Sequence, residues 1–376
     1  MRATVMAVVC VALSTPAYAQ FGGLGDGLKR VQQAKDAKQK FDDVNVNEEE
    51  ERKIGEDVSA KIRQRFGVVQ DPAVHKYVAT LGTLLAQQSE RPSLAWSFVV
   101  LDTDGVNAFA SPGGIVHITR GALGLVKNEA ELAGVMGHEI GHVAHKHALN
   151  AIKKNRAVQL GTSETLSSRG PFLDQLANRM YETILENSFD RGDELDADKV
   201  AGQMAEKLGY SAAGLGDFLT RLDARNSDQP VKNGLFASHP ETKERIEKIR
   251  KLASASKTTA TVEPRYKSNI KYEATALTTI ATVEEGASGL TGSSAGANDK
   301  KPADDKGKPE EEKKKGFGLG ALTKSAGPEK QTTQVATSGG ARGIGPDRAA
   351  KGGGNPTPVK VTVSTADADA FKRGIA

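Results

Sequence analysis

The sequence predicts an α+β fold, mostly helical with one small sheet, followed by a disordered C-terminal tail. Three observations predict it. Apolar residues recur at helical spacing through most of residues 48–255; strand-like runs within that stretch are confined to residues 96–119; and residues 291–358 are dominated by Gly, Ser, Pro, Lys and Glu, too polar to offset the entropy of ordering. The 376 residues leave room for two domains or for one domain with tails, and a hydrophobic share of 38% is low enough that part of the chain cannot be core. The 51 basic and 47 acidic residues give a formal charge of +4, which excludes the concentrated basic excess of a nucleic-acid binder. No apolar run reaches the roughly 18 residues that a membrane span needs.

Residues 1–19 read as a secretory signal peptide. Arg2 supplies the positive start, Val5 to Leu13 the apolar stretch, and Ala17-Tyr18-Ala19 an A-x-A site with cleavage after Ala19. The only cysteine, Cys10, leaves with that segment, so the mature chain has neither disulfide nor thiolate, as suits a bacterial periplasm. Residues 20–47 are a Gly-rich and polar leader with little to bury.

The dense part is residues 48–255. Glu48 to Phe66 is predicted as an amphipathic helix, with Ile54, Val58, Ile62 and Phe66 four apart. Asp71-Pro72 opens a second, striped by Val74, Tyr77, Val78, Leu81, Leu84 and Leu85. Trp96 to Leu101 is a short buried strand. A hairpin follows, Val106 to Ala110 and Ile115 to Thr119, turning at Ser111-Pro112-Gly113-Gly114. Asn128 and Glu131 form a capping box for a helix expected to reach about His147. Further helices are predicted at 172–189, 192–208, 211–224 and 240–252. Residues 256–290, rich in Thr and Val, read as a short β extension, and residues 359–376 regain enough pattern for a docking segment.

One motif carries chemistry. His138-Glu139-Ile140-Gly141-His142 is H-E-x-x-H on a predicted helix; histidines four apart share a face and can grip one Zn²⁺, while Glu139 can reach the attacking water as general base. His145, a full turn beyond His142, is too far to converge with both ligands, and His145 and His147 read as charges favoured near a helix C-terminus. A third ligand lies downstream in Arg191-Gly192-Asp193-Glu194-Leu195-Asp196-Ala197-Asp198. Glu194 and Asp198 are four apart and face the same way, so Glu194 can bind the metal and Asp198 can accept the outer N–H of a ligand histidine, whereas Asp196 points about 200° away.

These residues resemble those of the HtpX/BepA-like zinc metallopeptidases of peptidase family M48. Asn107 to Gly114 is similar to that family's N-A-F-A-x-P-G-G, Thr119-Arg120-Gly121 to its T-R-G, His147 to a histidine usual after H-E-x-x-H, and Ser238-His239-Pro240 with Arg245-Ile246 to a segment near the domain's end. The resemblance spans roughly 48–252, with departures at Asp190, Asp196 and Lys199, none of them a ligand position. It implies a gluzincin-type zincin domain with one Zn²⁺ per chain on His138, His142 and Glu194, and Glu139 as base. It further implies an endopeptidase for unfolded or misfolded envelope polypeptides, periplasmic or peripheral at the outer membrane, with outer-membrane assembly components as partners. The alternative is an envelope chaperone or scaffold on the same fold. An extended substrate is expected to pair along a sheet edge formed by Ile115, Val116, His117, Ile118 and Thr119. The resemblance also makes His239 a histidine that can approach the metal, as a resting fourth ligand or an oxyanion donor, against a plain helix-entry residue.

Overall fold

The computed structural model describes residues 46–154, 169–186, 189–227, 239, 242–283 and 345–375. The expected signal peptide, the leader to residue 45, residues 284–290 of the expected β extension and residues 291–344 of the expected linker lie outside the described residues. The first helix, α1 (Glu48–Phe66), starts where the Asn47 and Glu50 side chains accept each other's backbone N–H at 2.9 and 3.1 Å. Four glutamates in its first turn complement the helix dipole, and its apolar stripe is fully buried. Asp71 caps α2 (Pro72–Ala86).

The sheet has three strands, β1 (Ser97–Leu101), β2 (Ala108–Ser111) and β3 (Ile115–Thr119), in the order β1-β3-β2. β3 pairs in parallel with β1, from Ser97 opposite Ile115 to Leu101 opposite Thr119, and antiparallel with β2. The expectation of a substrate edge at Ile115, Val116, His117, Ile118 and Thr119 is therefore corrected. β3 is the central strand, its backbone groups are taken on both sides, and all five residues are buried. Alternation of side chains says which residues are strand but not which strand is the neighbour.

After α3 (Arg120–Leu125) comes the central helix α4 (Glu129–Ala144), buried along all of its 16 residues, with Asn128 accepting the Glu131 N–H. It ends three residues short of His147, because Lys146 turns left-handed (φ 55°) and His147 opens α5 (His147–Lys154). Then follow α6 (Arg169–Glu186), α7 (Arg191–Leu208), α8 (Gly214–Asn226) and α9 (Thr242–Ala253), each near its predicted span.

Two tail expectations are corrected. Residues 256–283 contain no strand; they form α10 (Glu263–Asn269) and one tight turn of helix, Leu277–Thr279. Tyr266 and Ile270, four apart, anchor that helix in the core, a spacing that outweighs the local wealth of β-branched residues. Residues 345–358, part of the expected disordered linker, are ordered against the domain. The Val68 N–H bonds the Asn355 carbonyl at 2.7 Å, and Gly353 bonds the Phe66 and Asp102 carbonyls. Here glycine marks contact: a Cβ on Gly352 would meet Phe66 backbone at 2.3 Å. α11 (Pro346–Ala349) and α12 (Thr365–Arg373) complete the fold, Phe371 of α12 packing on Tyr77 at 5.6 Å.

Candidate metal centre

Helices α4 and α7 bring the chemistry together. Their seam is made of small residues: a Cβ on Gly137 would stand 3.1 Å from Ala201 Cα, and one on Gly141 3.2 Å from Ala197 Cα. That close approach places Glu194 before His138 and His142. His138 Nε2 lies 3.0 Å from His142 Nε2 and 3.5 Å from Glu194 Oε2, and His142 Nε2 lies 3.4 Å from Glu194 Oε1. Donors around a tetrahedral Zn²⁺ at about 2.0–2.1 Å stand about 3.3 Å apart, so these three side chains fit that ion with almost no movement. The buried set His138, His142, Glu194 and His239 has its donor atoms within 4.8 Å of one another. Two imidazoles and a carboxylate are the donors zinc prefers.

His239 is drawn into this set. Its Nδ1 is 2.8 Å from Glu194 Oε1 and 3.1 Å from His138 Nε2, and its Nε2 is 3.7 Å from Glu139 Oε1. Glu139 Oε1 is buried with no hydrogen-bond partner among the described residues. Burial raises the Glu139 pKa, although His239 and His138 oppose the shift.

Behind the donors stands a charged support. Asp198 Oδ1 lies 2.9 Å from His138 Nδ1, the outer nitrogen, as the helical spacing predicts. Arg245, buried, donates to both Asp198 oxygens at 2.8 and 2.7 Å and lies 2.9 Å from Glu194 Oε2. Burial works against both carboxylates, yet His239 and Arg245 hold Glu194 well below the usual carboxylate range, and Arg245 does the same for Asp198. Burial likewise opposes charge on His138, but Asp198 and Glu194 outweigh it and hold the imidazole up at about 9. Such a field favours a cation at Nε2, a proton or a metal ion alike.

The reading of His147 as a helix-end charge is corrected. It is buried, and its Nδ1 lies 2.9 Å from His142 Nδ1. His145 caps α4 and pairs with Asp196, whose turn away from Glu194 aims it at this second histidine pair. Neither the Arg245 network nor the His142–His147 contact follows from local spacing. Only the Arg245-Ile246 resemblance pointed near the first.

Residues 72–253 match the sequence model of peptidase family M48. The chain is similar to the beta-barrel assembly-enhancing protease of Yersinia pestis, 24% identical over 221 residues that cover 56% of this chain and 45% of that protein. It is similar to metalloprotease YcaL of Escherichia coli strain K12, 31% identical over 43% of this chain and 63% of that protein. It is also similar to the mitochondrial metalloendopeptidase OMA1 of Schizosaccharomyces pombe, 26% identical over 56% of this chain and 63% of that protein. The chain thus spans under half the length of the first relative and under two thirds of the other two.

Proposed function

Residues 72–253 are a peptidase family M48 domain, and from that premise we propose that the chain is a zinc-dependent endopeptidase for unfolded or misfolded polypeptides of the bacterial envelope. The observation that carries this reading is the convergence of His138, His142 and Glu194 at zinc-like separations with Glu139 beside them. A zinc ion held by those three residues would supply Lewis acidity toward the scissile carbonyl and lower the pKa of the attacking water. Glu139 takes the proton of that water and hands it to the leaving amine; a pKa raised by burial suits both halves of the task. Arg245 and Asp198 hold Glu194 and His138 in register, and Nδ1 of His239, standing among the ligand atoms, favours its role as a fourth donor. The A-x-A site near the start of the sequence and a relative named as a beta-barrel assembly-enhancing protease support export to the periplasm and outer-membrane assembly components as partners.

The test is a comparison of the purified chain with its Glu139→Gln variant. Both are expected to hold one zinc per chain, and only the first to degrade unfolded casein. A wild-type chain that holds zinc and leaves casein intact would favour the chaperone or scaffold reading. Cell fractionation checks the location, with the chain expected in the periplasmic fraction.

A further inference from the structure

An unbroken helix would separate His142 from His147. Five residues turn a helical side chain by about 500°, which leaves the two some 140° apart around the axis. The chain breaks between them instead. Lys146 takes a left-handed backbone (φ 55°), a conformation that costs a side-chain-bearing residue about 1 kcal/mol and persists only where its surroundings impose it. The Lys146 side chain is held by Glu51, a buried carboxylate on α1. It bonds the Lys146 ammonium at 3.0 Å, Arg91 at 2.8 and 3.1 Å and the Gly113 N–H at 3.2 Å. The break folds His147 back so that its ring meets His142 edge-on, centroids 4.9 Å apart, with the Nδ1 atoms at 2.9 Å.

The proton on each nitrogen then follows in series. His142 turns Nε2 toward the other donors of the site, so a metal there requires the proton on Nδ1. That Nδ1–H donates to Nδ1 of His147, which must keep its own proton on Nε2. This second N–H faces carboxylates of α7: Asp196 Oδ2 at 3.3 Å, also bonded by His145 Nδ1, and Asp193 Oδ1 at 3.9 Å. His138 is oriented by a carboxylate directly, through Asp198. The outer nitrogen of His142, Nδ1, meets a second imidazole instead, and through it a carboxylate.

We propose that His147 is a positioning residue: through the Nδ1–Nδ1 hydrogen bond it sets the tautomer and ring angle of the metal ligand His142 and ties that ligand to Asp196 and Asp193. This rests on the metal-centre reading above. The same side chains suggest a rival, because His145, His147 and Asp196 also have donor atoms within 4.8 Å of one another and could hold a second ion. The proton order argues against it, since His147 has no free lone pair once His142 donates to it.

The test uses the full-length chain loaded with zinc and, in parallel, with cobalt(II). His147→Phe keeps a ring of similar size but offers no acceptor; His147→Gln restores an acceptor. His147→Phe is expected to weaken zinc binding about 10–100-fold in chelator competition, in line with loss of an outer partner of a ligand histidine. It should also shift the cobalt absorption bands, with an unchanged thermal midpoint for chelator-stripped protein. His147→Gln should recover part of the affinity, and Asp196→Asn should weaken zinc binding less than His147→Phe does. Wild-type affinity and an unchanged cobalt spectrum in His147→Phe would reduce the residue to packing. Two ions per wild-type chain, falling to one in His147→Phe and Asp196→Asn, would establish the second-ion site and overturn the relay. A wild-type chain that binds no metal would overturn the parent reading, and the relay with it.

Discussion

Glu139 and Gln are nearly the same size, so exchanging them isolates the proton-transfer step from packing. Glu139→Gln is expected to keep zinc and the folded state while turnover on unfolded protein falls about 10²–10⁴-fold, the usual worth of a general base. Turnover at the wild-type level would remove Glu139 from the reaction. Arg245 predicts a different failure. Its guanidinium is the counter-charge to both Glu194 and Asp198, all three buried, so Arg245→Ala takes that counter-charge from two buried carboxylates. Breaking such a buried set costs about 3–5 kcal/mol, and denaturant unfolding should show a loss of that order together with weakened zinc binding. The contrast between these residues shows what a sequence can reveal. His138, Glu139 and His142, and likewise Glu194 and Asp198, are legible because each group lies within one helical turn. His239 meets His138 across 101 residues, and Arg245 meets Asp198 across 47, so only the resemblance pointed to them. The resemblance includes His147, but its contact with His142 stays hidden because it depends on one left-handed residue, Lys146, which no periodicity announces.

Helices are legible as elements because caps and four-residue stripes are local signals: Asp71 and Asn128 each accept a backbone N–H at a helix start. The order of strands is not local, which is why β3 lies in the middle of the sheet and not at its edge. The seam between α4 and α7 gives an element-scale prediction. Gly141→Val adds a branched side chain where even a Cβ would touch Ala197, so α7 must move outward and carry Glu194 with it. Overpacking of this kind costs about 1–3 kcal/mol, and calorimetry should show a lowered midpoint together with weaker zinc retention. Wild-type zinc affinity would mean that the helices can separate without moving the ligand. A second prediction concerns the tie between α1 and β3. His117 is wholly buried, its Nε2 2.9 Å from Ser59 Oγ, and burial, with Arg63 adding to it, pushes the imidazole down to about 3. The unfolded chain takes up this proton near pH 6.5 while the folded chain refuses it until about 3. Stability from this residue is therefore complete above about 6.5 and falls by about 1.4 kcal/mol per pH unit below it. Urea midpoints measured between pH 7 and 4.5 should slope less steeply in His117→Phe; an identical slope would show that the imidazole is protonated in the fold.

At the scale of the molecule, the C-terminal segment is a strap whose contacts link distant parts of the domain. Its Asp347, fully buried, pairs with Arg225 of α8 at 2.7 Å and accepts the Val106 N–H at 3.0 Å; residues 352–355 lie along the end of α1, and α12 rests on α2. Arg265 joins α12 to the start of α4, stacking on Phe371 at 4.0 Å, donating to the Phe371 carbonyl and bonding Glu129 at 2.6 Å. Glu129 also accepts from Tyr77 and Tyr210, so the N-terminus of α4 is held by a network that includes the strap. Composition hid this, because a Gly-rich stretch reads as linker unless the backbones that it touches are known. Yet, among the described residues, no strap residue contributes a donor to the candidate metal set. Stability and metal binding should therefore separate. Asp347→Ala leaves the Arg225 charge without its partner, a loss of about 3 kcal/mol or more, and in a domain of this size about 1 kcal/mol moves the midpoint by about 2–4 °C. A drop of about 10 °C is expected, with one zinc per chain retained at temperatures where the variant is folded. Truncation after residue 344 should lower the midpoint further, since it removes Asp347, the Asn355 bond to Val68 and all of α12 together. A truncated chain that melts at the wild-type temperature would show that the strap rests on the domain without stabilising it.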